Sequence, residues 1–472
     1  MIRHRAHMTR SDGPLVADVC VVGGGPAGAI TASRLAEHGY RVVLIDRGHS
    51  PDRLECLPRS TWIVLDSLRN QGPIPIPELT PCPVTRVQWT GPRQEAHAHE
   101  GTVLVRRGGF DRILQDTARR SGATVLRPAR AAPPAWSGSD WMLLVSGEDW
   151  QQHIVARFLV DAGGRRSRLP RRRRRLSPPT VALSGSHLAT PCAPAEMRVE
   201  AIKAGWCWGA FLPGGVAEVS VFLDTSVCAG LDATGRQRAY HSALRDSDFF
   251  GALQSPATRL AMCDASAFVD EDPVSDHAIK VGDAAVALDP LSSQGVQAAL
   301  RSAAHAGAVV HTILSGGDVD AAITFYRSAV ADAARHHRTI IGEFYSACDR
   351  WPDAEFWRAR RDAFPASVIP QVEPARLSGD PRLFLSPEAR LAPVPTLTDR
   401  VISYQMALTH PGLARPVAYV EGVALANLLA HAPAGQRASA ILAAWMPLVP
   451  SGRGCAILGW LVRTGVLVPG AP

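Results

Sequence analysis

The stretch Val21-Val22-Gly23-Gly24-Gly25-Pro26-Ala27-Gly28 decides the fold of this chain. Residues 18–22, which run into it, are an apolar segment typical of a short buried strand, and residues 27–38 have the apolar spacing of a helix. A second apolar run, residues 41–45, predicts another buried strand and ends at Asp46. Strand, glycine turn, helix and strand together predict a βαβ unit that binds a nucleotide, in an α/β protein.

Each glycine of this G-x-G-x-x-G pattern has its own physical role. Gly23 permits the tight turn, Gly25 lets the backbone approach a pyrophosphate, and Gly28 lets the helix pack closely on the strand. The helix start at Pro26 and Ala27 adds a positive dipole and unpaired amides, which hold the pyrophosphate charge.

Asp46 lies about 20 residues beyond the glycine turn, where a carboxylate accepts the ribose hydroxyls of a dinucleotide. Arg47 follows it directly, and we assign it to the same predicted site. These residues identify a nucleotide, but they leave the choice between FAD and NAD open.

A second region decides between the two cofactors. Residues 278–285 predict a short strand ending in Gly282-Asp283, and residues 289–296, Asp-Pro-Leu-Ser-Ser-Gln-Gly-Val, lead into a long Ala-rich helix. With the glycine turn, these segments make the chain resemble flavoprotein monooxygenases of the p-hydroxybenzoate hydroxylase type. The similar branch is the one that includes flavin-dependent halogenases and geranylgeranyl reductases.

The resemblance implies that FAD is the cofactor and that Asp283 binds its ribityl chain. The helix after Pro290 would point its N-terminus at the pyrimidine edge of the flavin, where Gly295 and Val296 supply amides. A helix N-terminus suits this position because its dipole stabilises an anionic reduced flavin.

Two further segments resemble the same family. Residues 105–114 are similar to its Arg-x-x-Phe-Asp-x-x-Leu helix start, and Arg107 fits the arginine that contacts FAD. Residues 158–165 resemble its Asp-Gly fingerprint, although Ala162 separates Asp161 from Gly163, which leaves the nicotinamide role of that fingerprint open.

Composition limits the remaining classes. The chain has 472 residues, 50 basic and 43 acidic, and Lys203 and Lys280 are its only lysines. Nine scattered cysteines with no C-x-x-C pair predict neither a disulfide framework nor a metal site, and they are typical of a reducing cytoplasm. The basic start, residues 1–10, lacks the apolar core of a signal peptide, and no run reaches the roughly 20 apolar residues of a membrane span.

The chain should contain three parts. A Rossmann-like FAD-binding domain of the glutathione reductase type is expected from residues 12–80, 100–170 and 275–345. An inserted β-sheet substrate domain is expected from residues 80–100 and 175–275, with strands at 196–201, 208–212 and 217–223. Residues 346–472 should form a small, mostly helical C-terminal domain, which either docks a macromolecular partner or packs on the FAD domain.

Eight arginines crowd one short segment, and we call it the Arg-rich segment: Arg165, Arg166, Arg168 and Arg171–Arg175. Such a block should lie on a solvated surface loop. Its alternatives are a site for an acidic protein partner or for the phosphates of NADPH. No nucleic acid is predicted, because neither interleaved aromatic residues nor a nucleic-acid motif accompanies the arginines.

The family resemblance implies that reduced FAD and O2 form a C4a-hydroperoxyflavin, whose distal oxygen attacks an electron-rich ring or, in halogenases, oxidises halide. Halogenases of this branch carry a lysine between flavin and substrate, but residues 83–89 contain none. Their W-x-W-x-I-P signature also differs from residues 206–213, Trp-Cys-Trp-Gly-Ala-Phe-Leu-Pro, which is two residues longer. Both departures favour hydroxylation. The electrons would come from transiently bound NAD(P)H or as FADH2 from a separate flavin reductase.

The substrate expected from this resemblance is a Trp side chain of a partner polypeptide, as in monooxygenases that mature tryptophylquinone cofactors. The polypeptide would dock near the C-terminal domain and the Arg-rich segment. Indole is electron-rich, so no strong base is required; the catalytic residue is unknown, and Glu55, Arg59 and Gln294 are candidates by position only. The alternatives are a halogenase or hydroxylase of a small aromatic natural-product intermediate, a prenyl-chain reductase and a non-enzymatic flavin-binding maturation factor.

Overall fold

The computed structural model describes residues 13–48, 52–67, 79–253, 257–364, 379–431 and 435–470. The strands of these residues are, in chain order, β1 (Leu15–Val22), β2 (Val42–Ile45), β3 (Leu54–Leu57), β4 (Thr80–Pro81), β5 (Val84–Gln88), β6 (Glu95–Ala98), β7 (Val103–Arg106), β8 (Thr124–Leu126), β9 (Arg130–Ala131), β10 (Ala135–Trp136), β11 (Trp141–Ser146), β12 (Gln151–Asp161), β13 (Arg173–Arg175), β14 (Thr180–Leu188), β15 (Glu196–Ile202), β16 (Gly205–Phe211), β17 (Val216–Asp224), β18 (Thr258–Asp264), β19 (Phe268–Asp270), β20 (Ala278–Lys280), β21 (Val286–Ala287), β22 (Arg382–Leu385), β23 (Arg390–Thr398), β24 (Val401–Thr409), β25 (Tyr419–Val420), β26 (Val423–Ala424), β27 (Gln436–Arg437) and β28 (Leu467–Pro469). The helices are α1 (Pro26–Glu37), α2 (Arg59–Ser67), α3 (Arg107–Arg120), α4 (Thr225–Cys228), α5 (Ala233–Arg245), α6 (Gly295–Leu314), α7 (Val319–Ala347), α8 (Glu355–Ala363), α9 (Leu425–Ala430), α10 (Ala438–Trp445) and α11 (Ser451–Arg463). The basic segment at residues 1–10 lies outside the described residues.

An eight-stranded sheet contains the predicted βαβ unit. Its strand order is β10-β11-β12-β1-β2-β8, with β20 also paired to β12 and β9 to β11. Strands β1, β2, β8, β12 and β20 run parallel, and β11 is antiparallel to β12. Every residue of β2 and the last four residues of β1 are buried, as continuous apolar runs in a parallel sheet require. The α/β prediction is therefore confirmed.

A seven-stranded sheet carries the second predicted layer. Its order is β18-β14-β17-β16-β15-β5-β6, and its pairs are antiparallel except for β5 with β15. The three strands predicted from the middle of the chain correspond to β15, β16 and β17. Their positions are confirmed, since each predicted range overlaps the corresponding strand.

The two faces of this sheet pack against different elements. On β16, Cys207 and Phe211 point to the face covered by α5, where they join a cluster with Tyr240. Trp206 points to the other face, where it stacks on Phe222 with 3.8 Å between ring centroids. That second face is the one that turns towards helices α7 and α8, which contribute further aromatic residues to the same cluster.

Part of the Arg-rich segment is built into the fold rather than forming a free loop. Residues Arg173–Arg175 form β13, an edge strand that pairs with β19. The guanidinium of Arg173 lies 3.9 Å from the ring centre of Phe268 and donates a hydrogen bond to the carbonyl of Arg165. The prediction of a wholly solvated loop was therefore wrong for Arg165 and Arg173, because both side chains contact neighbouring structure.

The chain divides into two compact units. The first comprises the described residues within Met1–Val310 and Tyr326–Ser367, and it holds both large sheets. The second comprises those within His311–Phe325 and Val368–Pro472. Strands of the eight-stranded sheet fall in the segments predicted for FAD binding, and strands of the seven-stranded sheet fall in those predicted for the substrate domain. The three-domain boundaries themselves stay a prediction.

The second unit combines helices α9–α11 with a β-hairpin formed by β23 and β24. Residues 387–395 have the proline content of a linker, yet Pro393 and Pro395 lie within β23, opposite Met406 and Tyr404. Because the prolines are two residues apart, both place their missing N–H groups on the unpaired edge of a two-stranded sheet, where no hydrogen bond is lost.

We expect Gly28→Ala to destabilise the protein by about 1–3 kcal/mol or more, since overpacking at a rigid contact is costly. A Cβ atom at Gly28 would lie 1.9 Å from the carbonyl oxygen of Gly23 and 2.8 Å from Cβ of Ala162. The matched control is Gly109→Ala in α3, where an added Cβ meets nothing within 4 Å. Thermal unfolding of both variants is the measurement, and equal midpoints for the two would contradict the expected contact.

Candidate functional site

The carboxyl ends of four parallel strands lie at one edge of the eight-stranded sheet. Their last residues are in register across the sheet: Val22, Ile45, Asp161 and Lys280. Because parallel strands end on the same side, the turns that follow these residues all lie at this edge. The edge therefore brings together segments that are more than 250 residues apart in the sequence.

The glycine turn shows why each predicted glycine is needed. Gly23 has a φ of +112°, and a Cβ there would lie 2.2 Å from the carbonyl oxygen of Ala162. Gly28 is closed in by Gly23, as described above. At Gly25, in contrast, an added Cβ would meet, among the residues that the structure describes, only the guanidinium of Arg107 at 3.9 Å, so these residues leave open space in front of Gly25.

The start of α1 offers unpaired donors beside that space. Gly25 is the N-cap and makes no side-chain cap, and its carbonyl accepts the first helical hydrogen bond from Ala29 at 2.9 Å. The amides of Ala27 and Gly28 precede that bond and have no partner within the helix, while Pro26 has no amide to satisfy. These amides and the helix dipole favour an anion in the open space.

Asp46 is held firmly at the end of β2. Its carboxylate accepts hydrogen bonds from the amides of Gly24 at 2.9 Å and Gly48 at 2.8 Å, and the guanidinium of Arg127 lies 3.4 Å away. The side chain of Arg47 is exposed beside it. Asp46 thus braces the glycine turn, and the assignment of Asp46 and Arg47 to the ribose stays a prediction.

Gln115 is a contributor that the sequence pattern did not indicate. From α3, its amide nitrogen donates a 2.7 Å hydrogen bond to the carbonyl of Gly24, and its side chain is buried. A glutamine just after the last residue of the helix motif has no signature of its own, so only the packing of α3 against α1 identifies this contact.

Arg107 lies next to the glycine turn at the start of α3. Its guanidinium donates to Asp111 at 3.1 Å and to Glu55 at 3.2 Å. Burial alone would lower the pKa of Arg107, but the carboxylates of Asp111 and Glu55 raise it above the usual value. The structure therefore holds a fixed positive charge beside Gly25, where the resemblance places a contact to FAD.

The three catalytic candidates lie in different surroundings. Glu55 on β3 pairs with Arg53 at 2.8 Å as well as with Arg107, so its carboxylate orients a guanidinium. Arg59, at the start of α2, is exposed and lies 3.7 Å from Glu100. Gln294 caps α6 through its carbonyl, which accepts from Ala298 at 2.9 Å. The geometry favours structural contacts for all three, and a catalytic role for any of them stays a prediction.

The Gly282-Asp283 turn contacts the glycine turn directly. Gly282 has a φ of +59°, and a Cβ there would lie 2.9 Å from Cβ of Ala27. Its amide donates to the hydroxyl of Ser302 in α6 at 3.0 Å. Asp283 is partly exposed, and Arg165 lies 3.6 Å from its carboxylate. The two predicted cofactor segments therefore converge on a single place.

The loop after β21 forms a second helix start at this place. Pro290 begins a 3-10 turn that ends at Ser292, and Ser293 follows with a φ of +51°. The amides of Gly295 and Val296, the first residues of α6, precede its first hydrogen bond and have no partner within the helix. Gly295 is exposed, and a Cβ there would meet nothing within 4 Å.

Helix α7 holds this loop through Asp289, which is buried. The Asp289 carboxylate accepts hydrogen bonds from the hydroxyl of Tyr345 at 3.0 Å and from the amide of Leu291 at 3.1 Å, while its own amide donates to Nε2 of His337 at 2.8 Å. Burial raises the pKa of Asp289, raises that of Tyr345 well above its usual value, and lowers that of His337 to about 4. A neutral His337 is required, since a protonated ring could not accept from the amide.

The structure accounts for both lysines of the chain. Nζ of Lys280 is buried and donates to Asp270 at 2.7 Å and to the carbonyl of Asp272 at 3.0 Å. Lys203 is exposed at the turn between β15 and β16. Neither meets the expectation for a lysine between flavin and substrate.

Three further features of the described residues bear on the class of site. His, Cys, Asp and Glu side chains in these ranges form no group of three that could hold a metal ion. None of their helices combines the length and the apolar character that crossing a membrane demands. The open space at Gly25, beside the first amides of α1 and the guanidinium of Arg107, suits the negative charge of a pyrophosphate.

Known proteins share this architecture. The tryptophan halogenase family model matches residues 94–379, more than half of the chain, and an FAD-binding domain model matches residues 16–69. LodB of Marinomonas mediterranea, whose name gives it as an FAD-dependent oxidoreductase, is 28% identical over 372 residues, covering 74% of this chain and 98% of LodB.

Solved structures match over nearly the whole chain. The peptidyl tryptophan dihydroxylase QhpG, essential for tryptophylquinone cofactor biogenesis, superposes with a TM-score of 0.76 at 26% identity, covering 95% of this chain and 99% of QhpG. The flavin-dependent halogenase CmlS gives a TM-score of 0.75 at 20% identity, covering 98% and 96%, which shows a shared fold. The predicted resemblance to halogenase-like flavoproteins is confirmed, and the chain belongs to the tryptophan halogenase family of FAD-dependent oxidoreductases.

Proposed function

We propose that this protein is an FAD-dependent monooxygenase that hydroxylates a Trp side chain of a partner polypeptide. One observation carries the proposal: the similarity to a peptidyl tryptophan dihydroxylase extends over 95% of this chain, including its C-terminal unit. In the reaction, one oxygen atom of O2 enters a ring C–H bond and the other leaves as water. Two electrons come from NAD(P)H or from FADH2 delivered by a separate flavin reductase.

The residues at the carboxyl edge would hold the cofactor. The amides at the start of α1 would bind the pyrophosphate, with Arg107 adding a fixed positive charge. Asp283, which is partly exposed, would accept hydrogen bonds from the ribityl hydroxyls. The amides of Gly295 and Val296 would face the pyrimidine edge of the flavin, where FAD, when bound and reduced, supplies the activation of O2.

The chain's own side chains would keep the site dry. On the second face of the seven-stranded sheet, Trp89 packs edge to face with Trp206 of β16 at a centroid distance of 6.5 Å and with Trp357 of α8 at 5.2 Å. Leu291 lies in the loop of residues 289–294 that leads into α6, which we call the flavin loop, and it packs against the same cluster. A dense aromatic wall beside the loop excludes water, which protects a reactive oxygen species from hydrolysis.

Hydroxylation is favoured over halogenation because no lysine is available. Both lysines are accounted for by the geometry described above: Lys280 is buried in an ion pair with Asp270, and Lys203 is exposed at a strand turn. Halogenation, of Trp or of a small aromatic compound, is the alternative outcome of the product analysis below.

Charge supports a polypeptide partner. Six arginines of the Arg-rich segment are exposed: Arg166, Arg168, Arg171, Arg172, Arg174 and Arg175. The backbone at the start of this segment is held in place, because Asp161 accepts hydrogen bonds from the amides of Arg168 and Leu169 and from the hydroxyl of Ser167. Guanidinium groups pair well with carboxylates, so this segment suits an acidic stretch of the substrate protein.

Gly25→Val should remove FAD without unfolding the protein. Gly25 has φ −71° and ψ −177°, which valine adopts readily, so the added side chain fills the open space and does not strain the backbone. We expect the flavin content of the purified protein to fall about tenfold or more.

Absorbance of flavin released on denaturation measures this content. Gly214→Val, at a hairpin turn where a Cβ meets nothing within 4 Å, is the control and should keep normal flavin. A normal flavin content in the Gly25→Val variant would contradict the assignment of the glycine turn to FAD binding.

Acid should loosen the flavin loop through His337. Its pKa is lowered to about 4 in the folded protein from an ordinary value of 6.5, so the unfolded chain takes up a proton first as the pH falls. The stability that neutral His337 contributes is complete above pH 6.5 and is lost as the pH falls from 6.5 towards 4. Glutamine accepts a hydrogen bond without titrating, so His337→Gln should flatten the fall of the unfolding midpoint in this window.

Burial raises the pKa of Asp289, so protonation of Asp289 stabilises the fold as the pH falls and opposes the effect of His337. The test is therefore the difference between variants, because the effect of Asp289 is common to them. The control is His153→Gln, an exposed histidine of β12, which should leave the slope unchanged. A slope in His337→Gln as steep as that of the unchanged protein would contradict the role given to this ring.

The proposed reaction is tested by mass spectrometry of candidate polypeptides, including those encoded by neighbouring genes, after incubation with protein, FAD, a reducing system and O2. We expect a gain of oxygen on a Trp residue, dependent on O2 and unaffected by added bromide. Gain of halogen would establish halogenation instead. Oxygenation of free small aromatic compounds with no modified polypeptide would overturn the proposed substrate.

A further inference from the structure

On the face of the seven-stranded sheet that carries Trp206, which we call the aromatic face, one row of residues is half-buried along its whole length, whereas most residues of the two rows beside it are buried. The row crosses five adjacent strands in register: Val87, Val199, Trp208, Ser220 and Ser184. Each of these side chains is half-buried, and Trp208 is the one residue of β16 that is not buried. We call these five residues the open row.

The two rows beside the open row are covered by different elements. On one side, Trp206 and Phe222 lie under the aromatic residues of α7 and α8. On the other side, Met197 and Ala210 form a cluster with residues of β3 and β7. Trp208 contacts both clusters, so the open row is the floor of a cleft between two covering layers.

The cleft borders the predicted cofactor site. Leu291, from the loop that leads into α6, packs against the cluster that includes Val199 and Trp208. On the other side of the cleft, Cys56 of β3 packs against the same cluster as Trp208, and its neighbour Glu55 pairs with Arg107. The open row therefore lies between the flavin loop and the strand that orients Arg107.

The chemistry changes along the row. Val87, Val199 and Trp208 offer apolar and aromatic surface, whereas Ser220 and Ser184 share a hydrogen bond of 2.8 Å between their hydroxyl oxygens. Each hydroxyl oxygen can accept two hydrogen bonds, and the bond between the two serines uses only one of these positions. The pair can therefore still accept a hydrogen bond from another donor. Neighbouring strands are about 4.8 Å apart, so a bicyclic ring over Trp208 places its edge near Ser220.

We infer that the open row binds the aromatic ring of the substrate, with the ring against Trp208 and Val199 and a ring N–H donated to the Ser220–Ser184 pair. This selects an indole over a ring of the same shape without an N–H. The inference rests on the proposed function, in that it names the floor on which a Trp side chain would lie.

The test is calorimetric titration of the FAD-loaded full chain with N-acetyltryptophanamide and with its benzothiophene analogue, which lacks the N–H. Trp208→Leu should weaken binding of both probes about tenfold, since it removes the aromatic contact. Ser220→Ala should weaken only the indole probe, about three- to tenfold, and so abolish the preference between the two.

The matched controls are Trp136→Leu and Ser137→Ala, an exposed tryptophan and an exposed serine at the far side of the eight-stranded sheet, and both should bind as the unchanged protein does. Equal affinities in all four variants, or no binding of either probe to the unchanged protein, would overturn the inference.

Failure of the proposed function would look different. If Trp208→Leu loses binding but the product carries halogen, the open row stands and hydroxylation does not. If a polypeptide gains oxygen at an unchanged rate in Trp208→Leu, the proposed function stands and the open row is wrong.

Discussion

The register of the parallel strands β1, β12 and β20 is the constraint on which the rest of the structure depends. Val22 lies opposite Asp161, and Asp161 lies opposite Lys280, so the glycine turn and the Gly282-Asp283 turn must follow at the same edge. The contact between them tolerates no larger side chain, since a Cβ at Gly282 would already lie 2.9 Å from Ala27. The last residues of these strands are buried on both faces, so a one-residue slip would exchange side chains between two packed faces and displace the turns that follow. Packing of the core and assembly of the site are therefore fixed together.

Around this edge, the charged side chains already have partners within the protein. Arg107 is paired with two carboxylates, and Asp46 with two amides and Arg127, so neither is a buried charge without a partner. The first amides of α1 and α6 have no partner within their helices. The site is therefore positive through dipoles and donors held by the backbone, which need no rearrangement to receive an anionic dinucleotide.

The aromatic face of the seven-stranded sheet supplies the second half of the site. Helix α7 serves both halves, because Tyr345 belongs to the aromatic cluster and also donates to Asp289 at the head of the flavin loop. A shift of this helix would thus disturb the loop and the wall together. The two faces of this sheet differ. One face is covered by α5, whereas the aromatic face leaves the open row accessible between its covering layers.

The sequence by itself determined the βαβ unit, the tight contacts at Gly23 and Gly28, the Gly-Asp turn and the family, because close backbone approach and parallel-strand burial restrict residue type locally. It also indicated Arg107, through a motif at the start of a helix. It could not determine the contact of Gln115 with Gly24 or the clamp of Tyr345 and His337 on Asp289, which join residues 48 to 91 positions apart through packing. It could not determine the open row either, since Val87 and Val199 pair there across 112 positions. The Arg-rich segment shows the same limit: charge density predicted solvent exposure, but only the tertiary structure could place Arg173 over Phe268 and Arg165 beside Asp283. Local patterns record which backbone shapes are possible, whereas the identity of a side chain's partner is decided by which surfaces the folded chain brings together.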